Sequence, residues 1–299
     1  MDVRELIEAT IAARIAPAAR VAAIAPRENG PQGYSGATLR YYDVTYTRRG
    51  HTEQIALVTK DAPLRERRTL GWLGERRLPV PFSYTTDLTT DAPALVCMAY
   101  VGDRPPRGEQ ARQAARALAA IHAATLGRGA DLAWLPRADP AFFADRLIDR
   151  CWRKPWRHAL TGEGYRTWGG SYQAPVAPDP TFQAAFAGDT AVLEDAAARF
   201  LQAMTALWER SDALTLIHAD FHGEHVRSHN GRASIIDWGQ AHYGPLYVDL
   251  PNYFSREEAL LYRDALAELG HDIPRDEFLA GYDDADPYPG FKYFGIGLW

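Results

Sequence analysis

The stretch Leu216–Leu250, LIHADFHGEHVRSHNGRASIIDWGQAHYGPLYVDL, sets two aspartates on either side of a turn between apolar, strand-like runs. Asp220 stands in a loop entered by Leu214, Leu216 and Ile217, and Asp237 directly follows the run Ser234–Ile236. Between them lies His229-Asn230-Gly231, residue types that close tight connections between strands. Both carboxylates are therefore expected at strand ends, facing one cleft. A single loop aspartate is ordinarily a turn residue, but here a string of His, Asp, apolar strand, Asp and Trp calls for one explanation.

Two carboxylates so placed suit phosphoryl transfer. One orients the attacking hydroxyl and accepts its proton, and the other holds the divalent cation that neutralises the transferring oxygens. Asp220 fits the first role and Asp237 the second. His218-Ala219-Asp220 and Ile236-Asp237-Trp238 resemble the motif of the aminoglycoside phosphotransferase family and its choline-kinase and homoserine-kinase relatives. The resemblance runs over roughly residues 30–255. It implies an α+β, protein-kinase-like fold of two lobes. Residues 1–100 would form a small nucleotide-binding lobe with an antiparallel sheet, one helix and a leading helix, and residues 101–299 a mostly helical catalytic and substrate-binding lobe. It also implies transfer of the γ-phosphate of ATP, or GTP, to a small-molecule hydroxyl with Mg2+ as cofactor.

One position departs from that pattern. Five residues after Asp220, where the family carries an Asn that ligates magnesium through oxygen, this chain has His225. Magnesium prefers oxygen donors, so an imidazole nitrogen suits a softer ion such as Mn2+, or a water-mediated contact. Glu224 next door is a second source of oxygen. His222, His229 and His242 are expected to be solvent-facing or packed in loops, because no Cys pair supports a transition-metal cage.

Upstream, residues 1 to about 25 carry Ala, Ile, Val and Arg at helical spacing and predict an amphipathic helix. Thr38–Tyr46 and Gln54–Lys60, joined through Arg49-Gly50, predict a hairpin. A helix is expected over Arg65–Arg76, then extended segments at Phe82–Thr86 and Ala94–Tyr100. The loop Asn29–Gly36 offers backbone N–H groups for phosphates, with Gly33, Gly36 and Ser35 at its tip. Glycine in a turn is ordinary, and the kinase-like context is what gives this loop meaning. Lys60 ends its strand and Glu66 opens the next helix, the arrangement by which kinases present an ammonium to the α- and β-phosphates. Glu75 is the competing partner at the far end of that helix. Cys97–Gly102 resembles the family's connection between lobes, which places Met98 and Tyr100 against the adenine. Gln110–Thr125 predicts a strong helix, with His122 a packed structural residue. Asp249, after Gly244-Pro245, is expected to brace the catalytic loop.

Composition narrows the function further. A chain of 299 residues that is 46% apolar can bury a large core, and a net charge of −5 argues against nucleic-acid binding. Cys97 and Cys151 form no disulfide framework and the N-terminus lacks a signal-peptide core, so a cytoplasmic location is expected. No apolar run approaches a membrane span. From Pro251 onward acids outnumber bases ten to four, either a solvated surface or an attraction for cationic substrates. Residues 131–210 carry Trp134, Phe142, Phe143, Trp152, Trp156, Tyr165, Trp168 and Tyr172, a substrate wall or ordinary core. The Ala- and Arg-rich composition resembles that of a high-GC bacterium. With the aromatic segment, it makes an antibiotic or related natural product the first choice of acceptor, ahead of choline, homoserine or a sugar. A nucleotide-binding pseudokinase, suggested by His225, is opposed by the joint presence of Lys60, Asp220 and Asp237. Monomer and homodimer both remain open.

Overall fold

The computed structural model describes residues 2–28, 38–102, 109–161, 180–229 and 231–297. The chain divides into two compact units, one of residues 1–121 with 223–241, the other of residues 122–222 with 242–299. This partition differs from the division at residue 100 expected from sequence, because residues 223–241 return to the first unit.

In the first unit, helix α1 (Val3–Arg14) opens with a capping box in which Asp2 and Glu5 each accept the other's backbone N–H. It stops at Ile15, two residues before Pro17, and strand β1 (Arg20–Arg27) follows. The expected helix to residue 25 thus gives way to strand from Arg20. That part pairs with β2 (Leu39–Arg48), with Ile24 opposite Val44, and tertiary pairing overrides the helical spacing. β2 turns into β3 (His51–Ala62) through Arg49 and Gly50, both at positive φ (52° and 79°), as a two-residue hairpin requires. Helix α2 (Leu64–Glu75) follows, then β4 (Ser83–Tyr84) and β5 (Ala94–Ala99). The antiparallel sheet has the order β1-β2-β3-β5-β4. Leu6, Ile7 and Ile11 of α1 are buried with Val44, Leu57 and Cys97 as its core. The inserted hairpin β7 (Val226–His229) and β8 (Arg232–Ile235) is anchored by the Ile235 N–H on the Pro79 carbonyl at 2.8 Å.

Helix α3 (Gln110–Thr125) crosses from the first unit into the second, which is mostly helical. A π-helical segment (Phe142–Arg153) leads into α4 (Lys154–Thr161), followed by α5 (Pro180–Phe186) and α6 (Thr190–Glu209). Strand β6 (Leu214–Ile217) pairs antiparallel with β9 (His242–Pro245), and Gly244 is required there because a Cβ would lie 2.7 Å from that of Ala138. Helices α7 (Ala259–Glu268), α8 (Arg275–Ala285) and α9 (Tyr288–Gly297) complete it. The antiparallel sheet with its helix, followed by a mostly helical second part, is the α+β architecture expected.

The aromatic residues resolve toward core. Phe143, Trp152 and Trp156 are buried. Trp152 meets Phe291 at 5.4 Å between ring centroids, and Phe143 meets Phe200 at 5.9 Å, edge to face. Trp134 and Phe142 are half-buried, and Phe142 lies 4.5 Å from the His242 ring. Tyr165, Trp168 and Tyr172 lie outside the described residues. Among the described residues no helix is long and apolar enough to cross a membrane.

Candidate functional site

The first unit carries a buried charge cluster. Lys60 sits near the end of β3, the strand that pairs with both β2 and β5, so its side chain starts from the most constrained part of the sheet. Its Nζ lies 2.9 Å from Glu66 on α2 and 2.7 Å from Asp237 Oδ1, and Glu66 is only 1% exposed. Glu75 is exposed at the other end of α2, so Glu66 is the partner, as expected. Desolvation opposes the Lys60 charge, but the two carboxylates outweigh it and raise its pKa. Burial likewise pushes the Glu66 carboxyl up, against the pull of Lys60.

Asp237 is held by an uncommon backbone. Its φ of 65° and ψ of 54° are left-handed, a conformation a short polar residue tolerates better than a branched one. The following turn is fixed by the buried Trp238, whose Nε1–H donates to the Ile235 carbonyl at 3.0 Å. His225 Nε2 lies 3.4 Å from Asp237 Oδ2, and the Ile236 N–H donates to the His225 carbonyl at 2.9 Å. Burial alone would raise the Asp237 pKa; the His225 hydrogen bond and the Lys60 charge hold it far below the usual carboxylate range. A divalent cation beside Asp237 and His225 would meet a carboxylate oxygen and an imidazole nitrogen, a mixed donor set that suits an ion of intermediate softness. Glu224, the other oxygen source considered, is 3.9 Å from Arg227 with its side chain 42% exposed.

The proposed adenine contacts also fall in this unit. Met98 lies in β5 opposite Val58, and the Tyr100 N–H donates to the Ala56 carbonyl at 2.9 Å. The Tyr100 ring packs edge-on against Tyr41 at 5.9 Å, with the Arg27 guanidinium 5.1 Å from it. Gly102, at φ 81°, admits no side chain, since a Cβ would stand 2.6 Å from the Ser228 carbonyl oxygen. Gly33, Ser35 and Gly36 lie outside the described residues.

The second unit carries Asp220. β6 delivers the chain to His218 and Ala219, whose N–H groups both donate to the Asp249 carboxylate at 2.6 and 2.7 Å. Asp249 is buried and lies 3.3 Å from His122 Nε2, while His122 Nδ1 and the Tyr262 hydroxyl are 2.7 Å apart. The bracing role expected of Asp249 and the packed role expected of His122 are what this geometry provides. Ala219 takes a left-handed φ of 59°, a strained state kept by partners on both sides of the residue. Its carbonyl accepts from the Tyr288 hydroxyl at 2.9 Å and from Lys292 Nζ.

Asp220 Oδ1 accepts from the Tyr293 hydroxyl at 2.5 Å and from Lys292. Asn252 Nδ2 donates to Tyr293 Oη at 3.1 Å and to the Phe221 carbonyl at 3.0 Å. Burial pushes the Asp220 carboxyl up, but the Lys292 charge and the two hydrogen bonds bring it down to about 2. Lys292 and Tyr293 were not expected from sequence, since they lie 72 and 73 residues from Asp220. A signal was available nonetheless. The chain has thirty arginines and three lysines, Lys60, Lys154 and Lys292, and two of those three hold the candidate aspartates.

A model of the Phosphotransferase enzyme family matches residues 35–291. No curated relative matches the chain by sequence. Among solved structures, a protein assigned as fructosamine-3-kinase from Thermobifida fusca superposes with a TM-score of 0.56 at 23% identity, over 93% of this chain and 90% of that one. Choline kinase from Cryptosporidium parvum gives 0.54 at 13% identity, over 92% and 82%. A spectinomycin phosphotransferase crystallised with ADP and spectinomycin gives 0.52 at 13%, over 100% and 88%. Identities this low speak for a shared kinase-like fold, while the family match spans most of the sequence, including both aspartate motifs and Lys60, and on that ground the chain belongs to the Phosphotransferase enzyme family.

Proposed function

We propose that this chain transfers the γ-phosphate of ATP or GTP to a hydroxyl of a small molecule, with an antibiotic or related natural product as the leading acceptor class. The observation that carries the reading is the buried Lys60 ammonium bonded to both Glu66 and Asp237. Burying one cation among two carboxylates costs desolvation that an apolar trio would avoid; a phosphate-binding role accounts for the arrangement. Glu66 holds Lys60 toward the α- and β-phosphates, and Asp237 with His225 holds the divalent cation, which when bound supplies positive charge to the phosphate oxygens. Met98 and Tyr100 border the base, and Gly33, Ser35 and Gly36 cover the phosphates. Asp220 orients the acceptor hydroxyl and takes its proton.

The test is a phosphorylation screen of aminoglycoside, macrolide and nucleoside antibiotics beside choline, homoserine and fructosamine-type sugars, with ATP and GTP as donors. Transfer to one antibiotic class supports the reading. Transfer to a metabolite alone replaces the acceptor, and nucleotide binding without transfer under any metal leaves a pseudokinase. The His225 position gives a separate expectation. His225→Asn restores an oxygen donor, so the ratio of turnover with Mg2+ to turnover with Mn2+ is expected to rise. A ratio equal to the parent's places His225 outside the metal's coordination.

A further inference from the structure

The C-terminal helix α9 meets the Asp220 loop through three side chains. Tyr288 and Lys292, one helical turn apart, both reach the Ala219 carbonyl, and Lys292 with Tyr293 also reaches Asp220 Oδ1. Helix α9 is itself fixed by Phe291, packed against Trp152 at 5.4 Å and Phe200 at 5.5 Å. An aromatic anchor and three polar donors thus alternate around one short helix and converge on a loop residue of strained backbone. The groups facing Asp220 and Lys292 are His218 and Asp249 from the loop and its brace, Tyr288 and Tyr293 from α9, and Cys151 from the π-helical segment.

We propose that Lys292 is a positioning residue for the acceptor step, bridging the Ala219 carbonyl and Asp220 Oδ1 so that the carboxylate meets the acceptor hydroxyl in one orientation. This rests on the assignment of Asp220 as the catalytic carboxylate. The choice of residue is informative. In a chain where arginine outnumbers lysine thirty to three, lysine is the rarer choice of cation. A bridge from one carbonyl to one carboxylate oxygen needs a compact ammonium with donors in several directions, which a planar guanidinium fork does not offer. The Lys292 side chain is 17% exposed and that of Asp220 24%, so the pair is screened little by solvent.

The chemistry follows from the pairing. As the bond forms between the acceptor oxygen and the γ-phosphorus, the bond from phosphorus to the leaving nucleoside diphosphate breaks, and the acceptor proton passes to Asp220. A carboxylate already paired with an ammonium is a weak base. It therefore acts first as an oriented hydrogen-bond acceptor and takes the proton late, which suits a loose transition state with little need of early deprotonation. Lys292 keeps its own protons throughout. Orientation is the quantity at stake, and a misplacement of about 1 Å can cost about a hundredfold in rate.

The test uses the full chain with ATP and Mg2+, taking water as the acceptor and, in parallel, any acceptor found by the screen. Lys292→Met is expected to lower kcat by about 10- to 100-fold while the KM for ATP changes less than about twofold. Lys292→Arg, which keeps the charge without the compact geometry, is expected to fold and to fall between parent and Met variant. The pair Asp220→Asn/Lys292→Met is expected to be no slower than Asp220→Asn alone, because without the carboxylate the lysine has nothing to position. A Lys292→Met variant with parental kcat overturns the proposal, as do losses that multiply in the double variant. If Lys292→Met does not fold, the Arg variant decides, and parental kcat there makes Lys292 a plain charge and removes the positioning role. A parent that transfers phosphate to neither water nor any acceptor sinks the proposed function itself, a result distinct from an active parent indifferent to residue 292.

Discussion

Asp220→Asn is expected to lower kcat by about 100- to 10,000-fold, the span of a lost general base, while nucleotide affinity stays near the parent's. Amide and carboxylate have nearly the same shape, and Lys60, Glu66 and Asp237 are untouched, so the loss should fall on turnover. Single-turnover kinetics beside nucleotide titration checks this, and near-parental kcat would remove Asp220 from the chemistry. The same variant has a cost in stability, because Lys292 loses its counterion. The Asp220 carboxyl sits at about 2 in the folded chain against an ordinary value of 3.8. A depressed carboxylate stabilises the fold fully above the unfolded value and loses that contribution as pH falls through the folded one. The shift corresponds to about 2 kcal/mol at neutral pH. Parent and variant should therefore differ by about that amount in urea unfolding near pH 6, and the gap should close between pH 4 and 2. A gap independent of pH would show that the Lys292 pairing does not set the Asp220 charge.

Asp237→Ala is expected to abolish turnover and metal-dependent nucleotide binding together, the largest effect of any single change in the first unit. Asp237 Oδ1 is 2.7 Å from Lys60 Nζ and Oδ2 is 3.4 Å from His225, so removing the carboxylate breaks both contacts at once. Lys60 would keep only Glu66, and a cation would keep only the imidazole nitrogen of this pair. Alanine also has less reason than aspartate to accept the left-handed backbone at 237. Isothermal titration of ATP with and without excess Mg2+, alongside an activity assay, separates the outcomes. Full activity of the variant at saturating Mg2+ would show that Asp237 is not the metal residue. Asp237→Asn, which keeps the shape and one oxygen, should retain the fold and recover part of the binding but little of the turnover.

The two aspartate motifs, the β2–β3 hairpin, helix α2 and the Lys60–Glu66 pair were legible because each rests on short-range rules. A turn of Arg49 and Gly50 at positive φ fixes the hairpin register. A lysine six residues before a glutamate, at the junction of strand and helix, leaves few places for either side chain. The bracing of the His218 loop by Asp249 was also legible from the spacing of the motif, and Asp249 lies 31 residues from His218. What sequence spacing could not convey was any contact whose partners are set by packing of the whole unit. β1 read as helix because Val21 and Ile24 fit a helical stripe, and it became strand when the free edge of β2 offered hydrogen bonds. Phe143 and Trp152 read equally as wall or core, and their burial against Phe200 and Phe291 decided for core. Lys292 and Tyr293 reach Asp220 across 72 and 73 residues only because Phe291 docks helix α9 onto the π-helical segment. Local chemistry thus determined which residues stand ready to act, through turns, caps and strand ends that the neighbouring residues dictate. Which distant side chains charge and orient them was decided by the tertiary structure, because close packing of large apolar groups sets those distances and no periodicity in the chain records them.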